Sequence, residues 1–230
     1  MMEKISTGTS VFDKLLKGGY EKDSITTIYG SFGTGKTCLA LHGAINQALQ
    51  NKKVIYIDTE GGFSIERLKQ LSNNKKVLQN ILFLRPTNFN QQSQAIAKIK
   101  NFDLKKVGII IVDTITMLYR LERSLTNDQE AKKYNRELGL QLENLMEISR
   151  LKAIPILIIT QVYEHLESGT KLVGGDILSY ASKCLIALKN IGGGIRKAIL
   201  IKNRSLPSAE TEFKITSKGI VPAHKFLSLF

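Results

Sequence analysis

The sequence predicts an α/β fold: a mostly parallel central sheet with helices on both faces and an antiparallel extension at the C-terminal end. Apolar, β-branched runs alternate with amphipathic segments, and this alternation is typical of parallel strands linked by helices. A glycine-rich loop joins the first such run to a helix-forming segment. After Cys184 the pattern changes to short strands joined by the turn at 192–194, which indicates antiparallel pairing.

The expected strands follow the apolar runs in order. The parallel ones lie near 25–29, 54–57, 81–84, 107–112 and 154–160, and the antiparallel ones near 184–188, 198–202 and 211–215. Helix starts are expected at Ser10, with Asp13 three residues later, and at Ser64, just before Glu66, because a serine side chain can cap the free N–H groups of a first turn. Ligand sites in such a sheet lie at the carboxyl ends of its strands.

Length and composition predict one domain that spans residues 1–230. The chain has only 4 prolines and lacks a linker, a repeat or a low-complexity tract. Its longest apolar runs, 109–112 and 154–159, are too short to cross a bilayer, and its first residues lack the apolar core of a signal peptide. Cys38 and Cys184, with three scattered histidines, do not form a disulfide framework or a zinc motif. A cytoplasmic location without a membrane partner is therefore expected.

The chain is strongly basic, with 33 Lys and Arg against 20 Asp and Glu, a net charge of +13 and a pI near 9.7. Such a balance favours a polyanionic partner, although a generally lysine-rich composition is the alternative. The charge is regional: residues 183–204 contain six basic and no acidic side chains, whereas 160–182 contain three acids and one lysine. This clustering favours nucleic acid.

Residues 30–37 match the P-loop pattern G-x-x-x-x-G-K-[ST] between a strand-like and a helix-like segment. In such a loop, backbone N–H groups face phosphate oxygens, Lys36 reaches the β- and γ-phosphates, and the Thr37 hydroxyl binds Mg²⁺. The helix N-terminus adds partial positive charge. The expected nucleotide-binding residues are Gly30, Ser31, Phe32, Gly33, Thr34, Gly35, Lys36, Thr37 and Cys38.

Three polar residues follow other strands and are expected near this loop. Asp113 ends the run 107–112, where its carboxylate would hold Mg²⁺ through water beside Thr37. Thr114 comes next and cannot act as a general base. Glu60 follows 54–59 and could polarise the attacking water, while Gln161 follows 154–160 and could contact the γ-phosphate. The alternatives are a solvated strand-exit glutamate and a plain polar strand end.

Two other nucleotide-using classes fit less well. A GTPase would carry an Asn/Thr-Lys-x-Asp motif, and the pairs at 51–52, 74–75 and 170–171 lack the aspartate two residues on. A small-molecule kinase also uses a P-loop, but a glutamate after a second strand favours water as the nucleophile.

Taken together, these motifs resemble the RecA/RadA recombinase core. The residues that carry the resemblance are 30–37, 58–63, 65–68, 112–113 with 119–120, 160–162 and the entry segments 6–9 and 15–19. The resemblance covers nearly the whole chain and implies a RecA-like P-loop ATPase core with ATP and Mg²⁺ as its ligands. It also implies that Glu60 is the catalytic glutamate, that Gln161 is the nucleotide sensor and that Arg67 is a candidate for contact with the adenine. Lys36 and Gln161 are expected to be catalytic together with Glu60. A solvated helix face is the alternative for Arg67.

The resemblance also sets limits. Because the resemblance to the core begins at residue 6, we do not expect the helical N-terminal domain of RadA in this chain, and its sequence contains no Phe-x-x-Ala docking motif. This profile is similar to the short archaeal paralogues of RadA. Lys202 and Arg204 resemble the pair of cations that reaches a neighbouring subunit's γ-phosphate in bacterial RecA, so we expect slow hydrolysis without an assembled neighbour.

Two loops bind single-stranded DNA in the family. The first is expected between Tyr119 and the long helix ending near Arg150, with Arg120, Arg123, Lys132, Lys133 and Arg136, for which a charged helix face is the alternative. The second lies between Gln161 and Gly174 and holds Tyr163, His165 and Lys171. It is shorter than in strand-exchanging members, which argues against full strand exchange.

The functional expectation is an ATP-binding, DNA-binding protein of recombination and repair with weak ATPase activity. Single-stranded or branched DNA, a RadA-type recombinase, a Holliday-junction resolvase and further copies of the chain are the expected partners. Two alternatives stay open. One is an ATP-switched adaptor or mediator with negligible turnover, and the other is a KaiC-like single-domain ATPase outside DNA metabolism.

Overall fold

The computed structural model describes residues 3–165, 169–172 and 174–223. The elements up to the fifth helix are β1 (Lys4–Ile5), α1 (Ser10–Leu15), β2 (Tyr20–Glu21), β3 (Ile25–Gly30), α2 (Lys36–Leu49), β4 (Lys53–Asp58), α3 (Ile65–Leu71), α4 (Lys75–Gln79), β5 (Ile81–Leu84) and α5 (Phe89–Ile99). A 3₁₀ turn (Leu104–Lys106) leads to β6 (Val107–Asp113), α6 (Met117–Ser124), α7 (Asp128–Lys152), β7 (Ile156–Thr160), β8 (Val162–His165), β9 (Gly169–Leu172), α8 (Gly175–Ala181), β10 (Cys184–Gly192), β11 (Ile195–Asn203), β12 (Ala209–Thr216) and β13 (Gly219–Pro222).

The main sheet has nine strands in the order β13-β12-β11-β10-β3-β7-β6-β4-β5. From β10 to β5 every neighbouring pair is parallel, and from β10 to β13 every pair is antiparallel. The predicted α/β fold with a C-terminal antiparallel extension is confirmed. One detail differs: the strand that starts at Cys184 runs parallel to β3, pairing Cys184 with Thr26, so the antiparallel part begins only at β11.

Apolar residues on both faces of the sheet pack into two cores. Along β6, Ile109 and Ile111 belong to the core under α1 and α2, whereas Ile110 and Val112 belong to the core under α5 and α7. Successive strand residues point to opposite faces, so a strand that is covered on both sides must be apolar at every position. This explains the continuous apolar runs, and each fully buried Ile or Val contributes about 1.5–3 kcal/mol of transfer free energy.

Several strand boundaries differ from the predicted ones. β7 begins at Ile156 rather than 154, because Pro155 has no N–H to donate to a neighbouring strand. β10 and β11 have nine residues each and are longer than predicted. The sequence does not predict the pairs β1–β2 and β8–β9 or the strand β13, because these short segments lack a continuous apolar run such as that of β5.

The predicted cap of α1 is wrong by one residue. Thr9, not Ser10, accepts a hydrogen bond from the Phe12 amide at 3.2 Å. Asp13 turns back to the preceding turn, where its carboxylate accepts from the Thr7 amide at 2.7 Å. The predicted cap of α3 is confirmed, because the Ser64 hydroxyl accepts from the Arg67 amide at 3.1 Å.

The longest helix is α7, with 25 residues and many charged side chains. None of the helices in the described part of the chain combines the length and the apolar character that crossing a bilayer requires.

Candidate functional site

The P-loop connects β3 to α2 at the carboxyl edge of the parallel strands. Gly35 has φ 102°, and a Cβ atom there would lie 2.6 Å from Cδ1 of Ile215 on β12, so only glycine fits. Lys36 Nζ donates to the carbonyls of Gly30 at 2.8 Å and Ser31 at 2.9 Å. Burial lowers the pKa of Lys36, and the charges of Glu60 and Asp113 oppose that shift. The ammonium group is thus held inside the loop.

Asp113 ends β6 beside the loop and is only 4% exposed. The Tyr56 hydroxyl donates to its Oδ2 at 2.8 Å. Burial raises the pKa of Asp113 to about 6, and the Tyr56 and Thr37 side chains oppose that rise. A buried carboxylate beside a threonine hydroxyl is a donor pair suited to a hard divalent cation.

Glu60 and Gln161 meet at the mouth of the same cleft. Gln161 Nε2 donates to Glu60 Oε1 at 2.8 Å, and the Thr114 hydroxyl donates to the same oxygen at 3.2 Å. These three residues follow β7, β4 and β6, which are neighbours in the sheet. Because parallel strands end at one edge, residues 54 to 101 positions apart along the chain come into contact.

These side chains enclose a cleft of about 230 Å³. It is lined by Phe32, Gly33, Gly35, Lys36, Thr37, Cys38, Glu60, Asp113 and Gln161. The described residues contain no group of three His, Cys, Asp or Glu side chains that could hold a metal ion. The cleft instead offers the oxygens of Thr37 and Asp113. This pair fits Mg²⁺, which binds through one or two protein oxygens and completes its shell with phosphate and water.

Two residues that contact the site, Tyr56 and Arg196, do not belong to any sequence motif. Tyr56 lies in the middle of β4 and is fully buried, so nothing in the sequence separates it from a core tyrosine. Arg196 reaches the P-loop from β11 and donates through Nε to the Gly33 carbonyl at 3.1 Å. In the sequence Arg196 is only one of a cluster of basic residues, and the register of β10 and β11 brings it to the loop.

The segment after Asp113 is fixed to the end of β4. The peptide between Asp113 and Thr114 is cis. Thr59 Oγ1 donates to the Thr114 carbonyl at 2.6 Å and accepts from the Thr114 amide at 3.0 Å. Thr114 therefore supports Glu60 from a fixed backbone.

Arg67 lies on α3 and joins it to the turn after β12. Its guanidinium donates to the carbonyls of Thr216 at 2.8 Å and Ser217 at 3.2 Å, and it lies 3.7 Å from the Cys38 sulfur. Burial raises the pKa of the Cys38 thiol, and Arg67 opposes that shift. Arg67 therefore reaches the residue that follows the P-loop, close to the cleft.

Lys202 and Arg204 lie at the opposite, amino edge of the sheet, because β11 runs antiparallel to β10 and ends where β10 begins. Lys202 Nζ donates to the Ser179 carbonyl at 2.7 Å. Arg204 forms ion pairs with Glu21, at 2.6 Å, and with Asp23. Within one chain these cations are thus remote from the P-loop.

The first expected DNA loop is helical. Arg120 and Arg123 lie on α6, and Lys132, Lys133 and Arg136 lie on α7. All five are exposed, and Arg123 also donates to the Tyr119 hydroxyl at 3.0 Å. The prediction of a loop is wrong here, because segments such as 117–124 are rich in good helix formers.

The second expected loop contains the hairpin of β8 and β9. The backbones of Tyr163 and His165 lie in β8 and that of Lys171 in β9. Their side chains lie outside the described residues. The hairpin begins directly after Gln161, so the chain passes from the cleft into it without a spacer.

A family model described as Rad51 matches residues 1–223. Several curated proteins with the name "DNA repair and recombination protein RadB" are similar over nearly their whole length. The protein of Methanococcus maripaludis (strain C7) is 42% identical over 213 residues, which cover 91% of this chain and 97% of that one. Those of Methanococcoides burtonii and Pyrococcus furiosus are 37% and 36% identical, and the matches cover 95% of this chain and 97% and 95% of theirs.

Proposed function

The chain belongs to the Rad51 family, among its RadB proteins, and from this premise we propose that it is an ATP-binding protein of DNA recombination and repair with weak Mg²⁺-dependent ATPase activity. Proteins of this family bind ATP with Mg²⁺. The observation that carries the proposal is the contact between Glu60 and Gln161, from two different strands, at the mouth of the P-loop cleft.

Different residues of the cleft have different roles in this proposal. The P-loop amides and Lys36 bind the phosphates, since Lys36 already points into the loop. Thr37 and Asp113 hold the cation, which neutralises charge on the phosphates when it is bound. Glu60 is the general base that orients a water molecule, and Gln161 positions the Glu60 carboxylate. Arg67 lies beside Cys38, on the side of the cleft where the base of the nucleotide would lie.

Slow turnover follows from the position of two cations in the single chain. Lys202 and Arg204, the candidates for cations that act on a neighbour's nucleotide, lie at the far edge of the sheet. These cations can contribute only when a second copy of the chain is adjacent, and we propose that such an assembly forms on DNA.

DNA and recombination proteins are the proposed partners. The five cations of α6 and α7 are exposed and are placed to neutralise phosphates. Single-stranded or branched DNA, a RadA-type recombinase and a Holliday-junction resolvase are the partners we propose, without full strand exchange. The whole chain, 1–230, acts in this proposal as one RecA-like domain.

Hydrolysis of ATP tests the catalytic half. Glu60→Gln should keep ATP binding and lower turnover at least tenfold, because general bases contribute 10²–10⁴-fold. Lys36→Ala should abolish binding itself. Glu143→Gln removes an exposed glutamate of α7 and serves as the matched control. Turnover in Glu60→Gln equal to that of the control would remove Glu60 from the chemistry.

A titration of fluorescent single-stranded DNA at several salt concentrations tests the DNA half. Neutralised phosphates release counterions, so the affinity should fall linearly with salt on a logarithmic scale. The absence of binding at low salt would refute DNA as a ligand and leave the ATP site unaffected.

The hydrogen bond between Gln161 and Glu60 also supports a second candidate, an ATP-switched adaptor. Gln161 precedes β8 directly, so a change at the γ-phosphate would reach the hairpin through one residue. In this case Glu60→Gln would leave the slow hydrolysis unchanged, while Lys36→Ala would still abolish ATP binding. Affinity for a recombinase would then depend on ATP but not on its hydrolysis.

A further inference from the structure

A large groove in the described part of the chain does not belong to the nucleotide site. It has a volume of about 730 Å³ and lies at the amino edge of the parallel strands. Its walls come from the start of β1, the end of α2, the 3₁₀ turn and the segment between α7 and β7. These segments precede the strands whose other ends carry the P-loop cleft, so the sheet separates the two cavities.

Lysines dominate the charge of this groove. Six line it, at positions 4, 22, 52, 100, 105 and 152, against a single acidic residue, Asp103. The Asp103 carboxylate accepts from the Lys105 amide at 3.1 Å and caps the 3₁₀ turn. It is therefore already engaged with the backbone, and the groove has a strong excess of positive charge.

Three of the six lysines are bound to other parts of the protein. Lys22 pairs with Glu3 at 2.6 Å, Lys100 pairs with Glu147 at 2.5 Å, and Lys4 donates to the Leu16 carbonyl at 2.7 Å. The two ion pairs neutralise the charges of Lys22 and Lys100, and the Leu16 carbonyl holds the Lys4 ammonium group in place at the wall of the groove.

The other three, Lys52, Lys105 and Lys152, are exposed, and their ammonium groups form no hydrogen bond or ion pair with the residues that the structure describes. Lys152 ends α7, where the helix dipole favours a cation, whereas Lys105 lies in a 3₁₀ turn of three residues without a comparable dipole. The three come from different segments, 47 or more positions apart in the chain. The fold therefore gathers free ammonium groups at one place.

We propose that this groove is a second nucleic-acid site, which binds the phosphodiester backbone through Lys52, Lys105 and Lys152. It is distinct from the cations of α6 and α7 and does not depend on ATP. Lysine binds phosphate as a point charge and carries no base information. The site is therefore expected to bind without sequence preference.

The apolar residues of the groove argue against a peptide as its occupant. Leu104 and Ile154 are 6% and 3% exposed and belong to the core. Leu151 is exposed, and Phe102, the one aromatic residue among the described residues that line the groove, is half-buried. Protein partners anchor through aromatic or aliphatic residues in apolar pockets, whereas backbone binding of nucleic acid needs mainly positive charge.

The test compares two triple variants with equal loss of charge. Lys52→Gln/Lys105→Gln/Lys152→Gln removes the groove's free cations. Lys69→Gln/Lys75→Gln/Lys218→Gln removes three exposed lysines that do not line the groove. Each is titrated with a fluorescent single strand and with a duplex from low to high salt, and melting curves establish that both variants fold.

The groove variant should lower the slope of log affinity against log salt by about 2 for a single strand and by about 2.7 for a duplex, since each phosphate contact contributes about 0.7 or 0.9. The control should change either slope by less than half a unit. Equal slopes in the two variants would overturn the proposal. A polyglutamate peptide is the third probe: if only its binding falls in the groove variant, the occupant is an acidic protein and the proposal is wrong.

The Lys36→Ala variant distinguishes a failure of the ATP-binding proposal from a failure of the groove proposal. Lys36→Ala leaves the groove untouched and should keep the wild-type salt slope. If no variant binds ATP but the two triple variants still differ on DNA, the groove inference stands and the nucleotide site is the one refuted.

Discussion

The two edges of the parallel sheet hold their charges in opposite ways. At the carboxyl edge, Lys36, Glu60 and Asp113 each have hydrogen-bond partners in the protein. At the amino edge, the ammonium groups of Lys52, Lys105 and Lys152 have no such partner among the described residues. A hydrogen-bonded network fixes geometry, as catalysis requires, whereas free exposed cations supply attraction without fixed geometry. In our proposals this difference separates a site of chemistry from a site of electrostatic binding.

The largest effect is expected at the centre of the carboxyl edge. Asp113→Asn keeps an oxygen for the Tyr56 hydroxyl but removes the negative charge beside Thr37. ATP-analogue affinity in the presence of Mg²⁺ should fall about 100-fold, which corresponds to about 2.7 kcal/mol. Calorimetry with and without Mg²⁺ measures it.

In wild type, Mg²⁺ should strengthen binding, and in Asp113→Asn it should not. The melting temperature should change little, so a loss of fold can be recognised separately. A variant that still gains affinity from Mg²⁺ as wild type does would show that the cation lies elsewhere.

The next prediction compares the stability effects of two cations at the amino edge, Arg204 and Lys105. Glu21 has a side chain that is 3% exposed and pairs with Arg204, which also pairs with Asp23. Arg204→Gln leaves a buried carboxylate without its cation and should lower the free energy of unfolding by about 2–3 kcal/mol. The loss is smaller than for a fully buried ion pair because Arg204 is partly exposed to solvent. Lys105→Gln should stay within about 0.5 kcal/mol. Urea denaturation compares the two.

The same pair predicts a pH dependence. Arg204 lowers the pKa of Asp23 below its ordinary value of 3.8. A carboxylate with a lowered folded-state pKa stabilises the protein above its unfolded pKa, and the contribution is lost as the pH falls through the folded value. The stability gap between wild type and Arg204→Gln should therefore be full near neutral pH and narrow below about pH 4. A gap that is constant down to pH 2 would contradict the role of Asp23.

A third effect concerns the backbone of the P-loop. Gly35→Ala would place a Cβ atom 2.6 Å from Ile215 at φ 102°, whereas Gly33→Ala would meet nothing within 4 Å at φ 76°. Both substitutions incur the cost of a positive φ, about 1–2 kcal/mol, and only Gly35→Ala adds a clash with β12. Chemical denaturation should therefore show a further loss of about 1 kcal/mol for Gly35→Ala. Equal losses of unfolding free energy in the two variants would mean that the Ile215 side chain on β12 moves aside without an energetic penalty.

Much of the carboxyl edge could be predicted from the sequence because its signals are local. The P-loop is continuous, and Asp113, Glu60 and Gln161 each follow an apolar run whose end must lie at this edge. The position of Tyr56 could not be predicted, since a tyrosine inside a strand has the same pattern whether or not its hydroxyl has a carboxylate partner. The register of the strands decides such contacts.

The amino edge could not be predicted for a related reason. Lys52, Lys105 and Lys152 lie in three separate segments, and only the strand order brings them to one groove. The net charge of +13 indicated nucleic acid but gave no location. The sequence also assigned Lys202 and Arg204 by motif alone, and the antiparallel direction of β11 places them away from their own P-loop.

The smallest expected effect tests whether the fixed geometry of the carboxyl edge extends to β11. Arg196 donates to the Gly33 carbonyl, so Arg196→Ala removes one charge-assisted hydrogen bond to the P-loop, together with a bond to the Gly194 carbonyl in its own hairpin. ATP affinity should fall about fivefold, close to 1 kcal/mol, while Arg196→Lys should recover part of it. Lys189→Ala, an exposed cation on β10, is the control and should leave the affinity unchanged. If Arg196→Ala also binds like wild type, the arginine supplies no order to the loop, and the hydrogen-bonded network of this edge ends at the P-loop itself.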